Sequence, residues 1–147
     1  MTAQAWLSLG ANLGDPVAQL TEAVRRIADH PEITVVAQSR LLITKPWGKT
    51  DQPDFTNLAL KLETSLAPLD LLDALQAIET ALGRVRKEVW GPRVIDIDII
   101  AYDHLEMRSE RLNLPHIHAH EREFVLEPLR EIDPEIADWV VAQGKAD

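Results

Sequence analysis

Two aspartates separated by one residue, Asp96 and Asp98, are the strongest chemical signal in this sequence of 147 residues. The isoleucine-rich run around them, residues 94–102, is typical of a β-strand, in which residues i and i+2 point to the same face. Their backbones would be about 6.6 Å apart, at about 3.3 Å per residue. Two carboxylates on an otherwise apolar strand suit hard divalent cations such as Mg²⁺. The alternative is a half-exposed strand whose polar face meets water.

A basic stretch ends just before this pair. Residues 84–93 carry a net charge of +3 in a chain whose net charge is −9. Guanidinium groups beside metal-binding carboxylates favour a polyphosphate site, because both groups neutralise phosphate oxygens. The alternative is that Arg84 and Arg86 only pair with exposed acids such as Glu79. Trp90 lies in the same stretch and is either a lid over a flat ligand or an anchor packed on the sheet.

An aromatic and an amide side chain share one face of another predicted strand. Within residues 55–63, Phe55 and Asn57 lie on the face opposite Leu58 and its alternating leucine neighbours. Such a pair can stack on a heteroaromatic ring and hydrogen-bond to it. Ordinary packing is the other explanation for Phe55, and Phe124 has the same two interpretations.

Two further patterns are weaker. The histidines at 116, 118 and 120 alternate as in a zinc strand but lack a matched acid, so a phosphate contact by His116 is the interpretation we favour. The glycine-containing segment 10–14 lacks the Gly-Lys-Ser/Thr of a phosphate-binding P-loop, and protein-kinase motifs are absent. Any kinase activity would therefore belong to another class.

The elements that must position these residues follow the order β-α-β-β-α-β. Strands are predicted at residues 4–9, 33–44, 55–63 and 94–102. Two helices run between the predicted caps Asp15 and His30 and from Pro68 to Gly83, and a short third helix within residues 121–131 ends before Pro134. This order is typical of an α+β, ferredoxin-like βαββαβ sandwich: helices pack on one face of a mainly antiparallel sheet, and we expect the other face to be partly open to a ligand.

Composition predicts a single domain over residues 1–147 and excludes several classes of protein. With 24 acidic against 15 basic side chains, the chain is a poor candidate for binding nucleic acid or anionic membranes. The absence of cysteine excludes disulfide scaffolds, thiolate zinc sites and cysteine nucleophiles. No apolar run reaches the roughly 18 residues of a membrane span, and no signal-peptide pattern is present. We therefore expect a cytoplasmic protein, and a monomer.

One segment carries a specific resemblance: Trp90-Gly91-Pro92-Arg93-Val94-Ile95-Asp96-Ile97-Asp98-Ile99-Ile100. It resembles the signature of the 6-hydroxymethyl-7,8-dihydropterin pyrophosphokinase family of folate biosynthesis. Other similar segments follow in the family's order over nearly the whole chain, at residues 9–15, 44–48, 51–57, 83–86, 111–116 and 122–129.

The resemblance implies a magnesium-dependent transfer of diphosphate from ATP to the hydroxymethyl group of the pterin, with release of AMP. It implies that two Mg²⁺ ions are held by Asp96 and Asp98 and that ATP is the co-substrate. The implied catalytic positions are Arg84, Trp90, Arg93, Asp96 and Asp98. The implied ATP-side positions are Gln76, Glu79, Arg86, Arg111, His116 and Arg122. The implied pterin-side positions are Thr44, Phe55, Asn57 and Phe124, with the pterin ring between the two phenylalanines.

Two other functions compete with this one. A ferredoxin-like nucleotide-binding module without catalysis is disfavoured because the acidic pair and the arginines at 84 and 93 are all present. Another two-metal enzyme, such as a nuclease, is disfavoured by the acidic net charge and the lack of a broad basic surface.

Overall fold

An antiparallel sheet of five strands forms the centre of the molecule. The computed structural model describes residues 2–45, 54–83 and 95–146. The strands of this sheet are β1 (Ala3–Ala11), β2 (Ile33–Gln38), β3 (Leu42–Thr44), β4 (Phe55–Thr64) and β5 (Asp96–Tyr102). Their order is β2-β4-β1-β5, β3 also pairs with β4, and every pairing is antiparallel. The predicted α+β fold with a mainly antiparallel sheet is confirmed.

Helices cover both faces of this sheet, so the prediction that they pack on one face is wrong; α3 and α4 bury the apolar side chains of the second face. The helices are α1 (Pro16–Asp29), α2 (Pro68–Ala81), α3 (Glu123–Ile132) and α4 (Pro134–Ala146). A small hairpin, β6 (Met107–Arg108) with β7 (Asn113–Leu114), and a 3-10 turn (Ala119–Glu121) connect β5 to α3. Among the described helices, none is long and apolar enough to cross a membrane.

Alternation along the central strand divides the core into two clusters. Leu7 and Leu9 of β1 pack with the leucines of β4 against α1 and α2. Trp6 of β1 and Ala59 of β4 pack against α3 and α4 on the opposite face. Both sides of β1 are therefore buried, as expected for a central strand that is apolar on both faces.

The caps of the first two helices are those predicted. Asp15 accepts the N–H of Ala18 at 3.2 Å, and Pro16 occupies the first helical position. Gly83 follows α2 with φ +94°, the left-handed conformation that glycine adopts without steric cost. Local sequence is thus sufficient to set both boundaries.

The single strand predicted over residues 33–44 is wrong, because the chain leaves the sheet between β2 and β3. The hydroxyl of Ser39 accepts the N–H of Ala59 at 2.8 Å and donates to the carbonyl of Arg40 at 2.9 Å. Glu131 of α3 accepts the backbone N–H of Arg40 at 2.6 Å and its Nε–H at 2.7 Å. The backbone N–H of Ser39 still donates to the carbonyl of Ala59 at 3.0 Å, but the side-chain bonds draw the chain out of the regular ladder and interrupt the strand.

A fourth helix begins where the sequence predicted only the end of the third. Pro134 starts α4, which is possible because the first N–H groups of a helix need no partner within it. Asp133 caps this helix, accepting the N–H of Ile136 at 3.3 Å. The apolar side of α4 covers the sheet through Ile136, Ala137 and Val140, all of which are buried. The second face of the sheet is therefore open only over one end.

Candidate active site

The register of three strands places polar side chains next to one another at the open end of the second face. Gly10 of β1 lies between Asn57 of β4 and Asp96 of β5, and Ser8 lies opposite Asp98. The intervening Ile97 points into the leucine core, so the two aspartates point away from it. The predicted shared face of the acidic pair is therefore present in the structure.

Two cavities, each of about 270 Å³, meet at the acidic pair. The first is lined by Gln76, Glu79, Arg111 and His116, among others. The second is lined by Thr44, Phe55, Asn57 and Phe124, among others. Asp96 and Asp98 line both cavities, so ligands in the two cavities would meet at these carboxylates.

The predicted site residues divide between these cavities with one difference. Four of the ATP-side positions line the first cavity, and all four pterin-side positions line the second. Arg122 was predicted on the ATP side but lines the second cavity, where its guanidinium carbon lies 5.8 Å from the centroid of the Phe124 ring. The predictions for Arg84, Arg86, Trp90 and Arg93 lie outside the described residues.

The two phenylalanines of the second cavity come from different layers of the fold. Phe55 begins β4 and pairs with Thr44 at the end of β3, whereas Phe124 lies in the first turn of α3. Both side chains are partly exposed and line the same cavity. A flat ring held between them stays a prediction, and their positions in two layers favour it.

Glu79 is buried, so the interpretation of this residue as an exposed surface acid is wrong. Only 4% of it is exposed. Its carboxylate accepts the N–H of Ile97 at 2.8 Å, at the residue between the two aspartates. This bond ties α2 to the free edge of β5 and supports the part of the strand that carries the acidic pair.

Arg111 connects the segment around the small hairpin to α2. Its guanidinium donates to Asp73 at 2.5 Å and to the side-chain oxygen of Gln76 at 3.3 Å. Asp73 and Gln76 lie one turn apart on α2, so a single arginine can reach both. A cation is thereby held at the rim of the first cavity, where an anionic ligand would meet it.

His116 is held in its neutral form. Its partial burial, with smaller contributions from the charges of Arg122 and His118, lowers its pKa from 6.5 to about 4. Its Nδ1 accepts the N–H of His118 at 3.2 Å, so the proton of the neutral ring belongs on Nε2. His116 can therefore donate a hydrogen bond to an anion at neutral pH without carrying a charge.

We expect the His116 imidazole to titrate near pH 4 in the free protein. Between pH 6.5 and 4 the unfolded chain binds a proton that the folded protein resists, so this histidine lowers the stability of the fold as the pH falls through that range. NMR titration of the ring protons measures the value, with His116→Gln used to assign the resonance. A midpoint near 6.5 would contradict the described burial.

Asn57 contains a polar group with no partner in the part of the chain that the structure describes. The residue is 6% exposed, and its Nδ2 atom is buried without a hydrogen-bond acceptor. A buried amide N–H left unpaired costs about 1–3 kcal/mol. The amide lies close above Gly10, where a β-carbon would be 2.5 Å from Asn57 Oδ1. Glycine at position 10 is thus what allows the amide to lie across β1.

Four residues that line the second cavity were not among the predicted site residues: Ser8, Gly10, Lys45 and Val125. Ser8 has a recognisable signal, because it is a polar residue in an otherwise apolar strand and alternates with Gly10. Lys45 lies in the segment 44–48 that resembles the family, but its place at the cavity depends on how β3 pairs with β4.

The acidic pair suits a Mg²⁺ ion that completes its shell with phosphate and water. It does not suit a metal ion held by protein side chains alone. Within residues 2–45, 54–83 and 95–146, no group of three or more His, Asp or Glu side chains is arranged to hold a metal ion. Mg²⁺ commonly takes one or two carboxylates and completes its shell with phosphate oxygens and water. Two carboxylates on one face beside a cavity suit that mode of binding.

Comparison with known proteins gives one consistent family. The 7,8-dihydro-6-hydroxymethylpterin-pyrophosphokinase (HPPK) family model matches residues 6–134. A Methylorubrum extorquens protein named 2-amino-4-hydroxy-6-hydroxymethyldihydropteridine pyrophosphokinase is 51% identical over 133 residues, covering 90% of this chain and 84% of the relative. A Pseudomonas aeruginosa protein of the same name is 45% identical over 136 residues, covering 92% of this chain and 84% of the relative.

The solved structures agree on the fold. A Plasmodium falciparum HPPK-DHPS crystal structure with pteroate superposes with a TM-score of 0.72 at 16% identity, covering 92% of this chain and 39% of that chain. At this identity the similarity supports the arrangement of strands and helices and nothing finer.

Proposed function

Because the chain belongs to the 7,8-dihydro-6-hydroxymethylpterin-pyrophosphokinase family, we propose that it transfers diphosphate from ATP to the hydroxymethyl group of 6-hydroxymethyl-7,8-dihydropterin in a magnesium-dependent reaction that releases AMP. The enzyme is a pterin pyrophosphokinase of folate biosynthesis that uses ATP as co-substrate. Magnesium dependence and release of AMP are the further parts of this proposal. The observation that carries them is the pair of cavities that share Asp96 and Asp98.

In this proposal the two substrates meet at the acidic pair. ATP occupies the first cavity, with its polyphosphate directed toward Asp96 and Asp98, and the pterin occupies the second. The hydroxymethyl oxygen loses its proton to solvent and forms a bond to the β-phosphorus. The bond from that phosphorus to the oxygen bridging to the α-phosphate breaks, and AMP leaves with that oxygen. Positioning supplies much of the catalysis in such transfers, because there is little covalent work for the protein to do.

Asp96 and Asp98 are the residues that would hold two Mg²⁺ ions. When bound, these ions supply positive charge against the triphosphate oxygens. The side chains of the first cavity supply further donors: Arg111 at its rim as a cation and His116 as a neutral N–H donor. Gln76 and Glu79 line the same cavity, where Glu79 also supports β5.

The basic stretch supplies the remaining proposed groups. From the family resemblance, Arg84 and Arg93 act on the transferring group, Arg86 contacts ATP, and Trp90 helps to exclude water. Preorganised cations stabilise a transferring phosphoryl group as charge develops on its oxygens. Exclusion of water prevents hydrolysis from competing with transfer to the pterin.

The second cavity supplies two kinds of contact for a pterin. Phe55 and Phe124 offer faces on which a fused ring can stack, and Arg122 lies over Phe124. Asn57 offers an unpaired N–H, and Thr44 and Ser8 add hydroxyl groups.

Three further properties stay predictions: that the enzyme is a monomer, that it is cytoplasmic, and that it acts on small molecules and not on nucleic acid or membranes.

The product test uses ATP labelled at the γ-phosphate, with Mg²⁺ and the pterin. We expect the label on the pterin and AMP as the nucleotide product. Omitting the pterin or chelating Mg²⁺ should stop AMP formation. ADP as the nucleotide product, or no product at all, would contradict the proposal.

Substitution of Gly10 by alanine should weaken pterin binding by displacing the Asn57 amide. The new methyl would meet Asn57 Oδ1 at 2.5 Å, and this atom is the end of a side chain that can rotate away. We expect the KM for the pterin to rise about 10-fold, the cost of roughly one displaced hydrogen bond, with little change in Tm. If Gly10 acts through Asn57, adding Gly10→Ala to Asn57→Ala should raise the KM no further.

A further inference from the structure

Helix α4 packs against the turn that joins the two cavities. The 3-10 turn lies between His116, which lines the first cavity, and Arg122, which lines the second. Ala119 of this turn is fully buried in one cluster with Ile136, Ala137 and Val140 of α4. The family model ends at residue 134, which is the first residue of α4. The family match therefore does not explain what α4 does at this position.

At Gly144, α4 comes too close to the turn to leave room for a side chain. A β-carbon at this position would lie 2.1 Å from Cγ, 2.4 Å from Nδ1 and 2.6 Å from Cβ of His120. Ordinary contacts begin near 3.4 Å, so a methyl at position 144 requires a displacement of about 1.3 Å. Because His120 Cβ is itself too close, rotation of the ring alone cannot relieve the overlap. The end of α4 or the backbone of the turn must move.

A displacement at His120 would spread to both cavities, because the segment is tied at both ends. The N–H of His116 donates to the carbonyl of Ile100 in β5 at 2.9 Å. The N–H of Arg122 donates to the carbonyl of Ala119 at 3.1 Å, and the carbonyl of Arg122 accepts the first bonds of α3. The turn thus has short backbone connections to β5 on one side and to α3 on the other.

We propose that α4 is a positioning element of the site: the Gly144–His120 contact holds the 3-10 turn, and the turn holds His116 and Arg122 beside the two cavities. Gly144 is a positioning residue in this scheme, since it touches neither cavity. The ligands assigned to the two cavities, ATP and the pterin, rest on the proposed function.

The experiment compares Gly144→Ala with the unchanged protein by two readouts. In the absence of substrates, NMR titration of His116 should show its midpoint moving upward from about 4 by about one pH unit, because a displaced ring is less desolvated. In steady-state assays, the KM for ATP or for the pterin should rise about 10-fold, since a displacement of about 1 Å at a site can cost up to about 100-fold.

A matched control lies half a turn away on the same helix. Ala142 is exposed, and Ala142→Gly lowers helix propensity without adding an atom, whereas Gly144→Ala raises it. We expect Ala142→Gly to leave both readouts unchanged. A second variant, His120→Ala, removes the ring that Gly144 contacts without adding an atom, so it should move both readouts as Gly144→Ala does.

Three outcomes would overturn the proposal. The first is Gly144→Ala with an unchanged His116 titration and unchanged KM values, and the second is Ala142→Gly with the same changes as Gly144→Ala. If Gly144→Ala does not fold, His120→Ala carries the test, and an unchanged His116 titration with unchanged KM values in that variant is the third contradicting outcome. The titration needs no substrate, so loss of the proposed pyrophosphokinase activity in the unchanged protein would not affect that arm.

Discussion

Replacement of Asp96 by alanine should reduce magnesium-dependent diphosphate transfer by about 1,000-fold or more, the scale on which a charge-stabilising group acts in phosphoryl transfer. Asp96 lines both cavities and lies beside Gly10 in the sheet register. On the proposed function, its removal leaves Asp98 alone of the acidic pair to hold Mg²⁺ between the two substrates. Asp98→Ala should act in the same direction for the same reason.

The measurement is the rate of AMP formation as a function of Mg²⁺ concentration. Asp96→Asn separates charge from shape, because it keeps the volume and removes the negative charge. Asp138 is exposed on α4, so Asp138→Ala makes the same change in net charge away from the site and should retain activity. If Asp96→Ala turned over at nearly the rate of the unsubstituted protein, the acidic pair would be excluded as the magnesium site.

Replacement of Asn57 by leucine should separate function from stability. The Asn57 amide is buried, and its Nδ2 has no acceptor among the residues that the structure describes. A leucine of similar volume removes that unpaired N–H, so we expect the free energy of unfolding to stay the same or to rise by about 1 kcal/mol. On the proposed function, the pterin loses a hydrogen-bond donor in the second cavity, so its KM should rise about 100-fold.

Thr56 provides the control on the neighbouring position of β4. It is also buried and polar, but it does not line the second cavity. Thr56→Val should therefore leave the KM for the pterin unchanged. The pair of measurements is thermal unfolding and steady-state kinetics on both variants. An unchanged pterin KM for Asn57→Leu, or a large loss of stability, would contradict the assignment.

The sequence of a single strand is enough to predict which of its site residues share a face. Alternation with a period of two places Asp96 with Asp98 and Phe55 with Asn57 wherever those strands go, because it is a property of the extended backbone. The order of elements was also sufficient to predict the α+β class and the antiparallel sheet. The caps of α1 and α2 follow from local hydrogen bonding and backbone conformation.

The sequence did not reveal features that depend on residues far apart in the chain. The break between β2 and β3 arises from bonds of Ser39 and Arg40 to Ala59 and Glu131. Glu79 is buried because the N–H at the free edge of β5 needs an acceptor and α2 packs beside it. No local pattern contains these partners, so no local pattern predicts the outcome.

The sequence by itself thus predicted which side chains could do chemistry, and it determined which of them share a strand face. Only the tertiary structure decided that β1 brings Asn57 and Asp96 to either side of Gly10, and that two cavities meet at the acidic pair. It also decided that His116 is neutral and that α4 packs on the turn beside it. The physical reason is range: strand alternation and helix capping act over a few residues, whereas register, burial and close packing depend on neighbours brought together by folding.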